Sequence, residues 1–261
     1  MEIRYKNIAV GYSDKGEGPA VVMLHGFLEN RSMWDFFATQ LASEGFRIIS
    51  IDLLGHGGTE PLGYVHTMEE NAEMVMAVLH HLKLQNATFV GHSMGGYVAL
   101  AVAELHPTPI KGLLLVNSTA KADSEERKQN RDRAIAAVKQ NYTAFVRMSI
   151  VNLFSESNRE KMSEVIEEVR KDALQTPLQG IVASLEGMKI RADRRNVLKD
   201  RKFPAAIVLG QKDEVLPFAE TIEMANELLL DQTVFPDGHM STLENRDELL
   251  MAIRNFLKRI K

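Results

Sequence analysis

Ala87-Thr-Phe-Val-Gly-His-Ser-Met-Gly-Gly-Tyr-Val-Ala-Leu100 passes from a short apolar run, through a turn that carries a serine, into residues of helical pattern that continue to Leu105. Strand, sharp turn and helix in immediate succession put the Ser93 hydroxyl on an exposed, strained corner. The glycines have a physical reason. Strand and helix approach so closely around the serine that side chains at Gly91 and Gly95 would clash. The same glycines also suit a helix N-terminus that binds phosphate, which is the competing reading of this stretch.

Working outward, short runs rich in Val, Ile and Leu recur at Ala20 to Leu24, Phe46 to Ile51, Ile110 to Val116 and Ala205 to Leu209. Such runs predict strands buried on both faces, the pattern of a parallel sheet. Between them lie segments of helical period. Met68, Ala72, Val75, Met76, Leu79 and Leu82 share one stripe behind the capping-box sequence Thr67-Met-Glu-Glu70. The alternation predicts a doubly wound α/β sheet, with an antiparallel edge expected from Glu2 to Val10 ahead of the turn Asp14-Lys-Gly-Glu-Gly-Pro19. After Val116 it stops. From Ala122 to about Lys199 the apolar spacing is helical, interrupted once at Pro177. Residues 121–202 are therefore expected to form a helical cap inserted into a core made of residues 1–120 and 203–261.

A serine hydroxyl is a weak nucleophile until a base takes its proton. Of the eight histidines, His80 and His81 end a predicted helix, His92 points away from its neighbour Ser93 on extended backbone, and His25 and His56 sit at strand ends, where they order loops. His239, in Phe235-Pro-Asp-Gly-His-Met240, follows the strand candidate Gln232 to Phe235 and so belongs to a loop at the carboxyl edge of the sheet. An acid must orient that base. Asp213 lies just after the strand Ala205 to Leu209 and is preferred to Glu214, because adjacent positions cannot both aim inward. Ser, Asp and His in that chain order match a hydrolase elbow. The backbone N–H groups of Met94, at a helix start, and of Phe27, after His25-Gly26, are the candidate oxyanion donors. A plain β-turn explains the second loop equally well.

His25-Gly-Phe with Trp34 downstream, Asp52-Leu-Leu-Gly-His-Gly-Gly58, Gly91-His-Ser-Met-Gly-Gly96, Gly210-Gln-Lys-Asp213 and Gly238-His239 run in one order across nearly the whole chain. Together they resemble the α/β-hydrolase superfamily, in its lid-bearing serine hydrolase branch of esterases and carbon-carbon bond hydrolases. The resemblance implies an α/β-hydrolase fold: a mostly parallel eight-stranded sheet, helices on both faces and a helical cap after the sixth strand. It implies Ser93 as nucleophile, Asp213 as acid, His239 as base, Phe27 and Met94 as oxyanion donors, a structural loop at Asp52 and His56, and no cofactor or metal. The implied activity is cleavage of a small carboxylic ester or thioester through an acyl-enzyme. A carbon-carbon bond hydrolase, acyltransferase or lyase on the same triad, or a weakly catalytic small-molecule receptor, stays open. Serine at position 93 speaks against dehalogenases and epoxide hydrolases, whose nucleophile is an aspartate.

Composition narrows the partners. The absence of cysteine removes disulfides, thiolate metal sites and a cysteine nucleophile. A net charge of −4 offers no general attraction to nucleic acid. No apolar run approaches the roughly 18 residues of a membrane span, and Met1 to Val10 lacks the apolar core of a signal peptide. A cytoplasmic protein acting on a small molecule is expected, with its oligomeric state undetermined. Charge is uneven, however. Residues 121–202 hold 18 Lys and Arg against 13 Asp and Glu, and the remainder 13 against 22. Arg191, Arg194 and Arg195 crowd the cap's return to the core, so Arg194 and Arg195 are candidate contacts for an anionic group on the substrate. A solvated helical surface is the competing reading.

Overall fold

All five residues of Ala20–Leu24 are buried, and in the computed structural model, which describes residues 1–260, they form an inner strand of an eight-stranded sheet. The strands are β1 (Glu2–Tyr5), β2 (Ile8–Lys15), β3 (Ala20–Leu24), β4 (Arg47–Ile51), β5 (Ala87–His92), β6 (Ile110–Val116), β7 (Ala205–Gly210) and β8 (Asp231–Phe235). They lie side by side in the order β1-β2-β4-β3-β5-β6-β7-β8. β2 pairs antiparallel with β1 and with β4, where Tyr12 faces Ile51, and all other pairings are parallel. The expected antiparallel edge is therefore present.

Helices α1 (Asp35–Ser43), α2 (Met68–His81) and α3 (Met94–Leu105) connect the first strands. Between β6 and β7 come α4 (Glu125–Gln140), α5 (Tyr142–Val151), α6 (Glu156–Arg159), α7 (Ser163–Ala173), α8 (Leu178–Lys189) and α9 (Arg195–Lys199). The chain closes with α10 (Phe218–Glu227), α11 (Ser241–Glu244) and α12 (Arg246–Leu257). α2 starts where its sequence predicts: the Thr67 side chain accepts from Glu70 N–H at 3.0 Å, and the Glu70 carboxylate reaches back to Thr67 N–H.

Side chains alternate across each strand, so successive residues feed two cores. Val22 and Leu24 of β3, Leu113 and Leu115 of β6 and Ile207 of β7 pack with α2, α3 and α10. Val21, Met23, Leu114, Val116 and Val208 pack on the other face with Trp34, Phe37 and Leu41 near the chain start and with Leu249, Ile253 and Phe256 of α12. A sheet covered on both faces leaves the carboxyl ends of its parallel strands as the open edge, where β5, β6 and β7 deliver their following loops. Among the described residues no helix is long and apolar enough to cross a membrane.

Candidate active site

Ser93 stands between β5 and α3 at φ +49° and ψ −114°, a backbone conformation that side chains rarely adopt. The turn closes because its neighbours lack Cβ atoms. One added to Gly91 would lie against the Gly95 carbonyl, and one added to Gly95 against the Leu24 carbonyl. The corner is tied to β6 from both sides: Ser93 N–H donates to Val116 O at 2.9 Å, and Ser118 Oγ donates to Ser93 O at 2.8 Å. Ser93 Oγ has no hydrogen-bond partner among the described residues. It lines a cavity of about 80 Å³ together with His239, Phe27, Tyr97, Leu153, Met188 and Val215.

His239 Nδ1 lies 2.7 Å from Asp213 Oδ2, both side chains being buried. Since a carboxylate only accepts, Nδ1 carries the hydrogen and Nε2 is left with its lone pair. Asp213 is held on its other side: Oδ1 accepts from Val215 N–H and Leu216 N–H, each at 2.8 Å, and Oδ2 from Asn117 Nδ2 at 3.2 Å. Burial alone would raise the Asp213 carboxyl. The adjacent His239 imidazole, the Leu216 amide and Asn117 outweigh it and keep the group below the usual carboxylate range. Glu214 points outward and pairs with Arg159 at 3.0 Å.

The loop after β3 has three consecutive amides with different fates. Gly26 N–H donates to Glu29 Oε2 at 2.5 Å and Leu28 N–H to His56 Nε2 at 3.3 Å. Phe27 N–H, between them, has no partner among the described residues, and neither has Met94 N–H at the first turn of α3. The sequence-predicted donors are thus unpaired. His25 and His56 act as loop braces, each accepting a backbone N–H at Nε2 and facing a carbonyl with Nδ1. Burial depresses both, His56 to about 3.

His92 was expected to point away from the serine, yet its ring lines the same cavity. Its Nδ1 lies 2.9 Å from Glu29 Oε2 and its Nε2 2.9 Å from His239 O. Both neighbours accept, so both ring nitrogens carry hydrogen and the pair is His92⁺ with Glu29⁻. Burial opposes this on each side, but the partner's charge prevails: His92 is raised and Glu29 lowered. Sequence reasoning missed Glu29 and Asn117. Glu29 is two residues past Phe27, and only the structure shows that its carboxylate is buried against His92.

The arginines require a correction. Arg194 is buried and spans Glu69 of α2 and Glu104 of α3, and it does not line the Ser93 cavity. Arg195 pairs with Asp193 at 3.0 Å on a neighbouring surface cleft. Charges crowded in sequence are spread over different faces by a helix start at residue 195. The arginines that line the cavity are Arg127 and Arg131 of α4. Among the described residues no group of three or more His, Asp or Glu is placed to hold a metal ion.

Comparison with known proteins bears on the family and the fold. The family model described as alpha/beta hydrolase fold matches residues 19–246. A thermophilic esterase from Thermogutta terrifontis, solved with malate bound, is 33% identical, with a TM-score of 0.91 over 97% of this chain and 94% of that one. An enol-lactonase from Burkholderia xenovorans is 25% identical, with a TM-score of 0.90 over 99% and 100% of the two chains. The dihydrolipoyllysine-residue acetyltransferase component of the acetoin cleaving system of Pseudomonas putida is 29% identical over 93% of this chain, which spans only 64% of that relative's length.

Proposed function

The chain belongs to the α/β-hydrolase fold family and is an enzyme of that family, and we propose that it cleaves a small carboxylic ester, a cyclic ester included, through an acyl-enzyme on Ser93. One observation carries the reading: Ser93 and a histidine whose Nδ1 is committed to a buried carboxylate share a single cavity beside two unpaired backbone N–H groups. His239 Nε2 accepts the Ser93 proton as Oγ attacks the ester carbonyl. The developing oxyanion takes hydrogen bonds from Phe27 and Met94 N–H. The imidazolium, steadied by Asp213, returns the proton to the leaving alkoxide, and water then repeats the sequence on the acyl-enzyme. The resting Ser93 hydroxyl is free of partners, as is common before substrate draws nucleophile and base together. The helices between β6 and β7 act in this reading as a cap, since Arg127, Arg131, Leu153 and Met188 supply part of the cavity wall.

Ser93→Ala and His239→Ala are expected to lower kcat/KM for p-nitrophenyl butyrate by about 10⁴-fold or more each, without adding in the double variant, because the pair works as a unit. Asp213→Asn follows with a loss of about 10³-fold or more, while Glu214→Gln stays close to the parent. More than a few per cent of parental activity in Ser93→Ala removes the mechanism.

A further inference from the structure

Three guanidinium groups converge on one buried carboxylate beside the Ser93 cavity. Asp123 accepts from Arg127 Nε at 3.3 Å, from Arg131 Nε, and from Arg191 Nη1 at 2.5 Å. Among the described residues it is the only carboxylate within ion-pair distance of any of the three. The nearby acids are engaged elsewhere, Glu29 of the same cavity by His92, Asp132 by Lys189, Asp193 by Arg195 and Glu214 by Arg159. Burial would raise the Asp123 carboxyl, but Arg131 and Arg191 outweigh it and keep the group ionised. The cluster therefore carries a surplus of two positive charges.

The three arginines are not equivalent. Arg191 does not line the Ser93 cavity: Nη1 also donates to Met188 O and Nη2 to Lys121 O, both at 3.1 Å, its Nε is buried without a partner, and the guanidinium lies 4.1 Å from the Tyr97 ring centroid. Arg127 gives Nη1 to Val215 O at 2.8 Å and leaves Nη2 without a partner. Arg131 leaves Nη1 without one. These two stand one turn apart on α4 and both line the cavity. The Arg131 side chain is only 14% exposed, so solvent screens the surplus weakly. Arg127 also lines the neighbouring cleft of about 350 Å³, at the border between cleft and cavity.

A purely structural cluster gains little from a second and third guanidinium on one carboxylate, since each brings its own desolvation cost. Guanidinium groups with unpaired N–H on a cavity wall are instead what a planar anion completes, by charge-assisted hydrogen bonds in the geometry that arginine favours. We propose that Arg127 and Arg131 form an anion subsite in this cavity, so that the substrate is an ester or cyclic ester bearing a carboxylate, an inference that rests on Ser93 being the hydrolytic nucleophile. The carboxylate belongs either to the acyl part or to the leaving alcohol, and two isosteric pairs of esters separate these cases.

Hydrolysis is followed by titration at about pH 8, where the free carboxylates are ionised. Monomethyl succinate is compared with methyl 4-methylpentanoate, and acetoxyacetate with isobutyl acetate. The expected result is a kcat/KM preference of about tenfold or more for the anionic member of one pair, which identifies the side that carries the charge. Arg131→Gln and Arg127→Gln are each expected to reduce that preference by about tenfold, mainly through KM. The preference is read on the unaltered protein, so misfolding of a variant leaves the test intact. Neutral esters cleaved at least as fast as their anionic isosteres would overturn the subsite and leave the hydrolase reading standing. No cleavage of any of the four, with Ser93 unlabelled by a fluorophosphonate, would overturn both.

Discussion

Glu29 Oε2 accepts from two donors that matter for the chemistry, the Gly26 N–H and the ring of His92, so one carboxylate joins the loop bearing Phe27 to the residue before Ser93. His92 extends the link by donating to the carbonyl of His239. Glu29→Gln leaves a buried imidazolium without its counter-charge, and removing one partner of such a pair costs about 3 to 5 kcal/mol. Urea unfolding at neutral pH is expected to report a loss of that size, and kcat to fall by about tenfold or more as the Phe27 amide loses its support. Unchanged stability and unchanged kcat would show that the pair holds nothing. At this scale the sequence was legible where chemistry is local. The elbow is readable because Gly91, Ser93 and Gly95 fall within five consecutive residues at the junction of an apolar strand run and a helical run. Asn117 and Glu29 were not legible, because their partners are 96 and 63 residues away along the chain.

The elements were easier to read than their mutual packing. Helix α2 was predicted to its cap, and the buried strands to within one or two residues, because period and capping are properties of contiguous chain. The helical stretch after β6 was likewise foreseen, but periodicity does not say which helix faces the site. Arg194 therefore looked like a substrate contact and instead bridges α2 and α3. The clamp between this stretch and the loop of His239 was invisible for the same reason. Glu244 Oε1 accepts from Ser155 N–H at 2.9 Å and Asn158 Nδ2 at 3.0 Å, its Oε2 accepts from Gly238 N–H at 3.1 Å, and His239 N–H donates to Leu153 O at 2.9 Å. Glu244→Ala leaves several donors unpaired, at a cost of about 2 kcal/mol. It is expected to lower kcat more than it raises KM, since the base loses its mooring while the cavity walls persist. Parental kcat alongside that destabilisation would reduce the clamp to a purely structural role.

For the whole molecule, the buried neutral histidines set its response to acid. Burial lowers His56 to about 3 and His66 to about 4, both below the ordinary imidazole value of 6.5. The unfolded chain thus binds protons there that the folded chain refuses, so stability is intact above about pH 6.5 and falls as pH drops toward the folded values. Each group contributes about 1.4 kcal/mol per pH unit, or about 4 kcal/mol for the two together at pH 5. His92, whose value is raised, works in the opposite direction and offsets part of this, because the unfolded chain protonates it only as pH falls through about 6.5 while the folded chain already holds the proton, but it is one group against two. Trp34, the single tryptophan and wholly buried, reports the transition in urea at pH 7 and pH 5. Equal stability at the two pH values would contradict the depressed histidines. The central claim is that these parts serve covalent hydrolysis at Ser93, and rapid acid quench during turnover of p-nitrophenyl acetate, followed by peptide mass spectrometry, tests it most directly. The account predicts a single acetyl group on the peptide containing Ser93, absent from His239→Ala quenched at the same time, whereas steady turnover with Ser93 unmodified at every quench time and acetyl on another residue would contradict it.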